Sequence, residues 1–456
     1  MGLSLCVISI ACAPLNPPLK SYNYREGYRF GNCSDEGNLA DLFIVLTFSG
    51  GGTRAAAFSY GVLKELHDTK VTIDGAERRL LDEVDMISSV SGGSFTAAYY
   101  GLYHDRIFAD FEDTFLKKNV QTDLLIRTLY PWNWFKLVSP YYSRIDLAAE
   151  YYDENIFKNQ TYENLFKDCR RPFIVLNAAD LSLGTRFEFT QSQFDLLQSD
   201  LSGVSVGRAV ASSSAFPGLL TPLAMQNYKK TVFFEPMWVD NAIRFDLDAS
   251  PRRYRRAQEI RTYFDTENRR YIHLIDGGVA DNIGLRGTLY SLMYPDVIIS
   301  GDQQDVTDSR EFSLQRMIAD RKIGKLLIII VDAKPGEEFR MDRSRRAPGL
   351  VNVINAVASA PMANYSFETV QLLREYLEQR ESLLRNDPDP FQLKTYVIHL
   401  RFDSIEDSAT RKKFKEYGTN FDLPDEAVDA LIQKGGELLR KSPVFRDEFL
   451  KDLKQR

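Results

Sequence analysis

Apolar residues along this chain gather in short unbroken runs. Leu42 to Phe48 (LFIVLTF) is the clearest, apolar on both faces as a strand inside a covered sheet requires. It ends at Ser49-Gly50-Gly51-Gly52 and leads into Thr53 to Leu66, which reads as a helix. Glu83 to Val90 repeats the plan, turning sharply at Ser91-Gly92-Gly93 into a predicted helix over Ser94 to His104. Further runs at Phe173 to Ala178, Tyr271 to Ile275, Val297 to Ser300, Leu326 to Val331 and Tyr396 to Phe402 predict strands. Several are separated by helix-length segments, and that alternation predicts an α/β domain around a mainly parallel sheet. Phe187 and Phe189 alternate with Arg186 and Glu188, which predicts one hairpin-like excursion.

Two segments interrupt this rhythm. One, between His104 and Arg171, contains the aromatic stretch TLYPWNWFKLVSPYY; the other, Asn227 to Arg270, holds seven arginines between Arg252 and Arg270. Beyond Asp403 the chain reads as charged, amphipathic helices. A net charge of −6 with both signs mixed gives no reason to expect a nucleic-acid partner. No run reaches the ~18 apolar residues of a membrane-spanning helix, so membrane contact is expected to be peripheral or lipid-anchored.

Residues Met1 to Pro18 (MGLSLCVISIACAPLNPP) resemble a bacterial lipoprotein signal. Cleavage after Ala11 would leave Cys12 to carry the lipid, with Ala13 to Pro18 as a spacer, and so place the protein in the bacterial cell envelope. Ser9 stands where such signals carry Leu or Val, which keeps a plain cleaved signal and a periplasmic or secreted protein as the alternative. Cys33 and Cys169 either pair in an oxidising compartment or stay as thiols. The four cysteines lack metal-site spacing.

Serine chemistry needs an exposed hydroxyl, a base within reach and donors aimed at a developing oxyanion. The strand-to-helix turn at Ser89-Val90-Ser91-Gly92-Gly93 is a candidate for the first, with Ser91 lifted above the sheet at a helix N-terminus and Gly93 keeping the turn small. Gly50, Gly51 and Gly52 present backbone amides free of side chains. That same stretch, Gly50 to Ala55, also fits the dinucleotide fingerprint G-x-G-x-x-[GA], so a dinucleotide-binding oxidoreductase stands as a rival. The base is not an obvious histidine. His67 and His104 lie at the far ends of the helices following the two glycine turns, His273 sits mid-strand, and His399 lies inside a strand. Asp276 closes a strand and precedes Gly277-Gly278, where open α/β sheets collect their sites, so a Ser91–Asp276 dyad is the economical reading.

Three blocks, SGGGTRAAAF at Ser49 to Phe58, SVSGG at Ser89 to Gly93 and DGGVADN at Asp276 to Asn282, resemble in order and context the blocks of patatin-like phospholipases. Ala211 to Leu223 (ASSSAFPGLLTPL) is similar to the segment between the family's serine and aspartate. The resemblance implies a three-layer fold with a central mainly parallel sheet, helical insertions and a helical C-terminus. It implies Ser91 as nucleophile, Asp276 as base, and the amides of Gly50, Gly51 and Gly52 as oxyanion hole, with Arg54, Gly93, Gly277 and Gly278 as motif support. Ala55 and Ser89 replace two family glycines and keep the site small. The implied activity is phospholipase A or lysophospholipase hydrolysis of fatty-acyl esters of phospholipids or other lipids, with no metal or cofactor; the alternative is an idle lipid-binding envelope protein. Residues 39–403 are expected to form the catalytic domain, with a motif core over 42–284 and insertions at about 105–170 and 227–270, preceded by a leader over 1–18 and followed by a helical segment over 404–456.

The insertions leave two readings each. Tyr130, Trp132, Trp134 and Phe135 form either an interfacial patch for lipid or an aromatic cluster packed on the core. Arg252, Arg253, Arg255 and Arg256 either attract anionic headgroups or belong to a solvated helix face interleaved with acids.

Overall fold

The apolar runs that fall among the described residues become strands of one sheet. The computed structural model describes all residues except 1–14, 24, 34–37, 74, 168–169, 231–235, 295–312, 337–340, 344, 385–392 and 455–456. Its strands are β1 (Leu42–Phe48), β2 (Lys70–Ile73), β3 (Ala76–Arg79), β4 (Val84–Val90), β5 (Phe173–Asp180), β6 (Thr185–Glu188), β7 (Leu223–Gln226), β8 (Tyr271–Asp276), β9 (Lys325–Asp332) and β10 (Lys394–Arg401). β2 and β3 form a separate hairpin; the rest are ordered β10-β9-β1-β4-β5-β8-β7, with β6 alongside β5. β10, β9, β1, β4 and β5 are mutually parallel. Every residue of β1, β4 and β5 is buried, which is why those runs are unbroken rather than alternating.

Past β5 the sheet departs from the parallel plan, since β6 and β8 run antiparallel to β5, and β7 antiparallel to β8. Asp276 therefore does not close a parallel strand as the sequence suggested. β7 has four residues, too short to stand out inside the loop-like stretch that contains it. Val297 to Ser300 lies outside the described residues, as do Cys12 and Cys169; Cys33 is disulfide-bonded.

The helices that shape the site are α1 (Gly52–Asp68), α2 (Gly92–Tyr103), α3 (Val120–Leu129), α4 (Pro131–Leu137), α5 (Arg144–Tyr152), α6 (Val206–Ser213), α7 (Met237–Ala249), α8 (Pro251–Thr262), α9 (Leu350–Leu384) and α10 (Asp425–Lys441). α10 lies directly on α1: a Cβ on Gly435 would sit 2.3 Å from Phe58 O, so only a glycine permits that backbone approach. The C-terminal segment is thus part of the core packing around the first glycine turn.

Three expectations on the flanking segments resolve here. Asn16 to Pro18 are not a free spacer, because Asn16 Nδ2 donates to Ser199 Oγ at 2.9 Å and Pro17 O accepts from Asp200 N at 3.0 Å. Tyr130, Trp132, Trp134 and Phe135 are all exposed, which rules out their packing on the core. Among the arginines, Arg253 pairs with Asp246, and Arg255 and Arg256 both reach Glu259; Arg252 and Arg255 are exposed, but Arg256 is buried and Arg253 largely covered, so the helix face is internally paired and only half solvated.

Candidate active site

Register brings the serine and the aspartate together. Val90, the last residue of β4, pairs with Asn177 of β5, and the next residue of β5, Ala178, pairs with Asp276. One strand thus separates the end of β4 from Asp276, and the Ser91 hydroxyl comes near enough to the Asp276 carboxylate to favour its charged form. Because β8 is antiparallel, it is this pairing, not a shared C-terminal edge, that aligns them.

Ser91 has φ +50° and ψ −118°, a conformation L-residues rarely adopt, at the junction between β4 and α2. Three hydroxyls hold it. Ser91 N donates to Ser213 Oγ at 2.9 Å, and Ser213 Oγ donates in turn to Asn177 O at 2.6 Å. With that proton committed, the 2.9 Å contact between Ser94 and Ser213 needs Ser94 as donor, which leaves Ser89 to donate to Ser94 at 3.2 Å or to Val175 O at 3.3 Å. The protons of Ser89, Ser94 and Ser213 are thus spent on holding the elbow, and the Ser91 hydroxyl takes no part in that chain. Ser89, in place of a glycine, is fully buried and works as a member of this chain.

Asp276 is also fixed by its backbone, with its N–H donating to Ala215 O at 3.0 Å, and the Gly278 amide donates to its Oδ1 at 2.8 Å. Burial pushes its carboxyl up to about 6, and the Gly278 amide and the Ser91 hydroxyl pull the other way. That is a value suited to a base near neutral pH. Gly277 is needed for close approach, since a Cβ there would lie 2.2 Å from Asn177 O.

The three glycines of the first turn are not equivalent. Gly50 N donates to Asn282 O at 2.9 Å, so its amide is already engaged; the amides of Gly51 and Gly52 find no acceptor among the described residues. Gly51 and Gly52 have φ +143° and +60°. The turn is pressed against the serine elbow, because a Cβ on Gly92 would stand 2.1 Å from Gly52 O and one on Gly93 2.8 Å from Ser49 O. From the other side it is clamped by the C-terminal segment. Thr53 N donates to Asn420 O at 2.9 Å, and the buried Arg54 side chain donates to Ala333 O, Tyr417 O and Thr419 Oγ1. The Asn420 carbonyl thus takes the Thr53 amide, one of the donors at the start of α1 that a dinucleotide pyrophosphate would need.

No histidine joins Ser91. His399 contacts Asp332 at 3.2 Å on β10, three strands away from β4 in the sheet, and His67 contacts Asp68. The residues that the sequence reading left without a role are Ser213, Asn177, Asn282 and Asn420. Ser213 sits in the ASSSAFPGLLTPL block, whose run of serines was the one available signal. Asn420 gave none, since its contribution is a backbone carbonyl brought from the far end of the chain.

The sequence matches the family described as Patatin-like phospholipase over residues 46–289. No curated protein matches it by sequence. Among solved structures, human GIVD cytosolic phospholipase A2 aligns with a TM-score of 0.46 at 12% identity, covering 91% of this chain and 62% of that one. The same human protein in complex with methyl γ-linolenyl fluorophosphonate gives 0.37 at 12% identity, covering 91% and 59%. VipD from Legionella pneumophila gives 0.28 at 9% identity, covering 92% and 71%. The chain thus spans less than two thirds of the human phospholipase chain.

Proposed function

The chain belongs to the patatin-like phospholipase family, a family of lipid acyl hydrolases, and from that premise we propose that it cleaves fatty-acyl esters of phospholipids or lysophospholipids through a Ser91–Asp276 dyad. The observation that carries this reading is the strand pairing that brings a buried carboxylate, raised to about 6, beside the Ser91 hydroxyl at the elbow.

In the proposed reaction the Ser91 oxygen attacks the acyl carbonyl while Asp276 takes its proton. Negative charge collects on the carbonyl oxygen, where the Gly51 and Gly52 amides and the N-terminus of α2 favour it. Collapse breaks the ester bond, Asp276 returns the proton to the leaving alcohol, and the fatty acyl group stays on Ser91. A water molecule then repeats the attack, losing its proton to Asp276, and releases the fatty acid and the free serine. The inward-facing hydroxyl chain through Ser213 supports this role by holding the elbow without competing for the Ser91 hydroxyl proton.

The test is release of fatty acid from a mixed phospholipid pool, with Ser91→Ala and Asp276→Asn each expected to abolish it in folded protein. A fluorophosphonate probe is expected to label Ser91 alone. Undiminished turnover in either variant refutes the dyad.

A further inference from the structure

The insertion over 120–137 buries Val120 and half-buries Leu124 but turns most of its large apolar side chains outward. Leu125, Ile126 and Leu129 of α3 are exposed, and Trp132, Phe135 and Val138 along and just beyond α4 are 78%, 77% and 83% exposed. The charged side chains of the same hairpin face the protein instead. Arg127 pairs with Glu154, Lys136 with Glu150 at 2.9 Å, and Asp123 accepts from the Tyr151 hydroxyl at 2.6 Å. The turn is pinned as well, with Asn133 Nδ2 donating to Arg127 O at 2.7 Å and Trp134 Nε1 to Thr128 O at 3.0 Å. A surface helix of a globular protein normally does the reverse, and an exposed apolar patch of this kind marks an interaction surface.

Chemistry and charge select the occupant. Trp and Phe beside aliphatic residues, with an indole N–H already satisfied, suit the boundary between headgroups and acyl chains. Residues 118–145 hold four basic residues and the single acid Asp123 in a chain whose net charge is −6; Arg127 and Lys136 are matched by Glu154 and Glu150, which leaves Lys118 and Arg144 as the basic charge of the segment. Lys118 and Arg144 are exposed and flank the hairpin on either side in the chain. Exposed basic residues flanking an apolar face are complementary to anionic lipid.

The patch is also joined to the site. α5 follows it directly, and there Ile145 N donates to Thr221 Oγ1 at 3.2 Å while Thr221 Oγ1 donates to Ser143 Oγ at 2.7 Å. Thr221 and the exposed Leu219 belong to the loop that leaves Ser213 and Ala215, the residues holding Ser91 N and Asp276 N. We propose that the outer face of the α3–α4 hairpin docks on the anionic headgroup surface of a bilayer and seats the Ser91 site against it. The purpose of docking, though not the docking itself, rests on the acyl-hydrolase reading.

The chain carries its own probe, since two of its three tryptophans, Trp132 and Trp134, lie on the patch and Trp238 is buried. Full-length Ser91→Ala protein is titrated with vesicles of phosphatidylglycerol and phosphatidylcholine. Tryptophan emission is expected to shift to the blue on binding. In the same background Trp132→Ala/Phe135→Ala/Val138→Ala is expected to lower vesicle affinity roughly 100-fold. The pair Lys118→Glu/Arg144→Glu, which leaves the apolar residues intact, is expected to lower it about tenfold or more on anionic vesicles only. Restored to Ser91, both variants should turn over a monomeric short-chain ester at the wild-type rate. An unshifted emission on binding, unchanged affinity in the triple variant, or a chain that dimerises through this face and ignores vesicles overturns the proposal. Vesicle binding through the patch without any ester hydrolysis sinks the hydrolase reading and leaves the docking surface standing.

Discussion

Gly92→Ala is a substitution that separates the serine elbow from the glycine turn without removing a functional group. Gly92 has no positive φ, so its backbone accepts alanine, and at the start of a helix the change favours folding by up to ~1 kcal/mol. The difficulty is spatial. The new Cβ would lie 2.1 Å from Gly52 O and 2.7 Å from Gly52 N, and restoring van der Waals contact requires an opening of roughly 1 Å or more. Gly52 cannot retreat, because a Cβ at its own position is already 2.2 Å from Asn420 O and the adjacent Thr53 N is bonded to that carbonyl. The shift must therefore change the distance from Ser91 to the Gly51 and Gly52 amides. Misplacement of about 1 Å costs on the order of 100-fold, and loss of one oxyanion donor about 100- to 1000-fold. The expected result is a kcat on a soluble ester lowered at least about 100-fold, with KM changed by less than about threefold and a melting temperature within a few degrees of wild type. Fluorophosphonate labelling at Ser91 should slow in parallel. A variant that keeps kcat within threefold while folded would show that the glycine turn does not stabilise the transition state.

Other predictions follow from the same geometry. Asp276 acts as a base only when ionised, so kcat/KM for a soluble ester should rise with pH through about 6 and level off above it, falling about tenfold per unit below; an acid limb near the ordinary carboxylate value would refute the raised base. Ser213→Ala removes the acceptor for Ser91 N and the donor to Asn177 O, both buried, and should cost about 2–4 kcal/mol of stability, read by denaturant melts, with kcat lowered more than KM is raised. Stability unchanged in that variant would show that the hydroxyl chain does not hold the elbow. For the leader, we propose that Cys12 is lipid-modified when the chain is made in a bacterial host; Cys12→Ser should abolish incorporation of radiolabelled palmitate, and labelling that survives the change refutes it.

Much of the fold was legible because covered strands leave a mark that composition alone would not. β1, β4 and β5 appear as unbroken apolar runs since both their faces are buried, and the turns after β1 and β4 are marked by glycines whose missing side chains let the two backbones approach closely. The serine and the aspartate were legible for a related reason, each lying where a strand stops and glycines follow. Direction was not legible. The run at Tyr271 to Ile275 reads the same whether its strand is parallel or antiparallel, and only its pairing with Ala178 and Ala179 brings Asp276 beside Ser91.

Sequence by itself determined which groups are available: a serine at a tight turn, an aspartate ahead of paired glycines, and a nest of backbone amides. Tertiary structure decided which of them are free. It spent the Gly50 amide on Asn282, committed the hydroxyls of Ser89, Ser94 and Ser213 to holding the elbow, and turned the aromatic residues of the α3–α4 hairpin outward. The physical reason is that hydrogen-bond occupancy and burial depend on partners remote in the chain, such as Ser213 for Ser91 and Asn420 for Thr53, and local pattern carries no record of them.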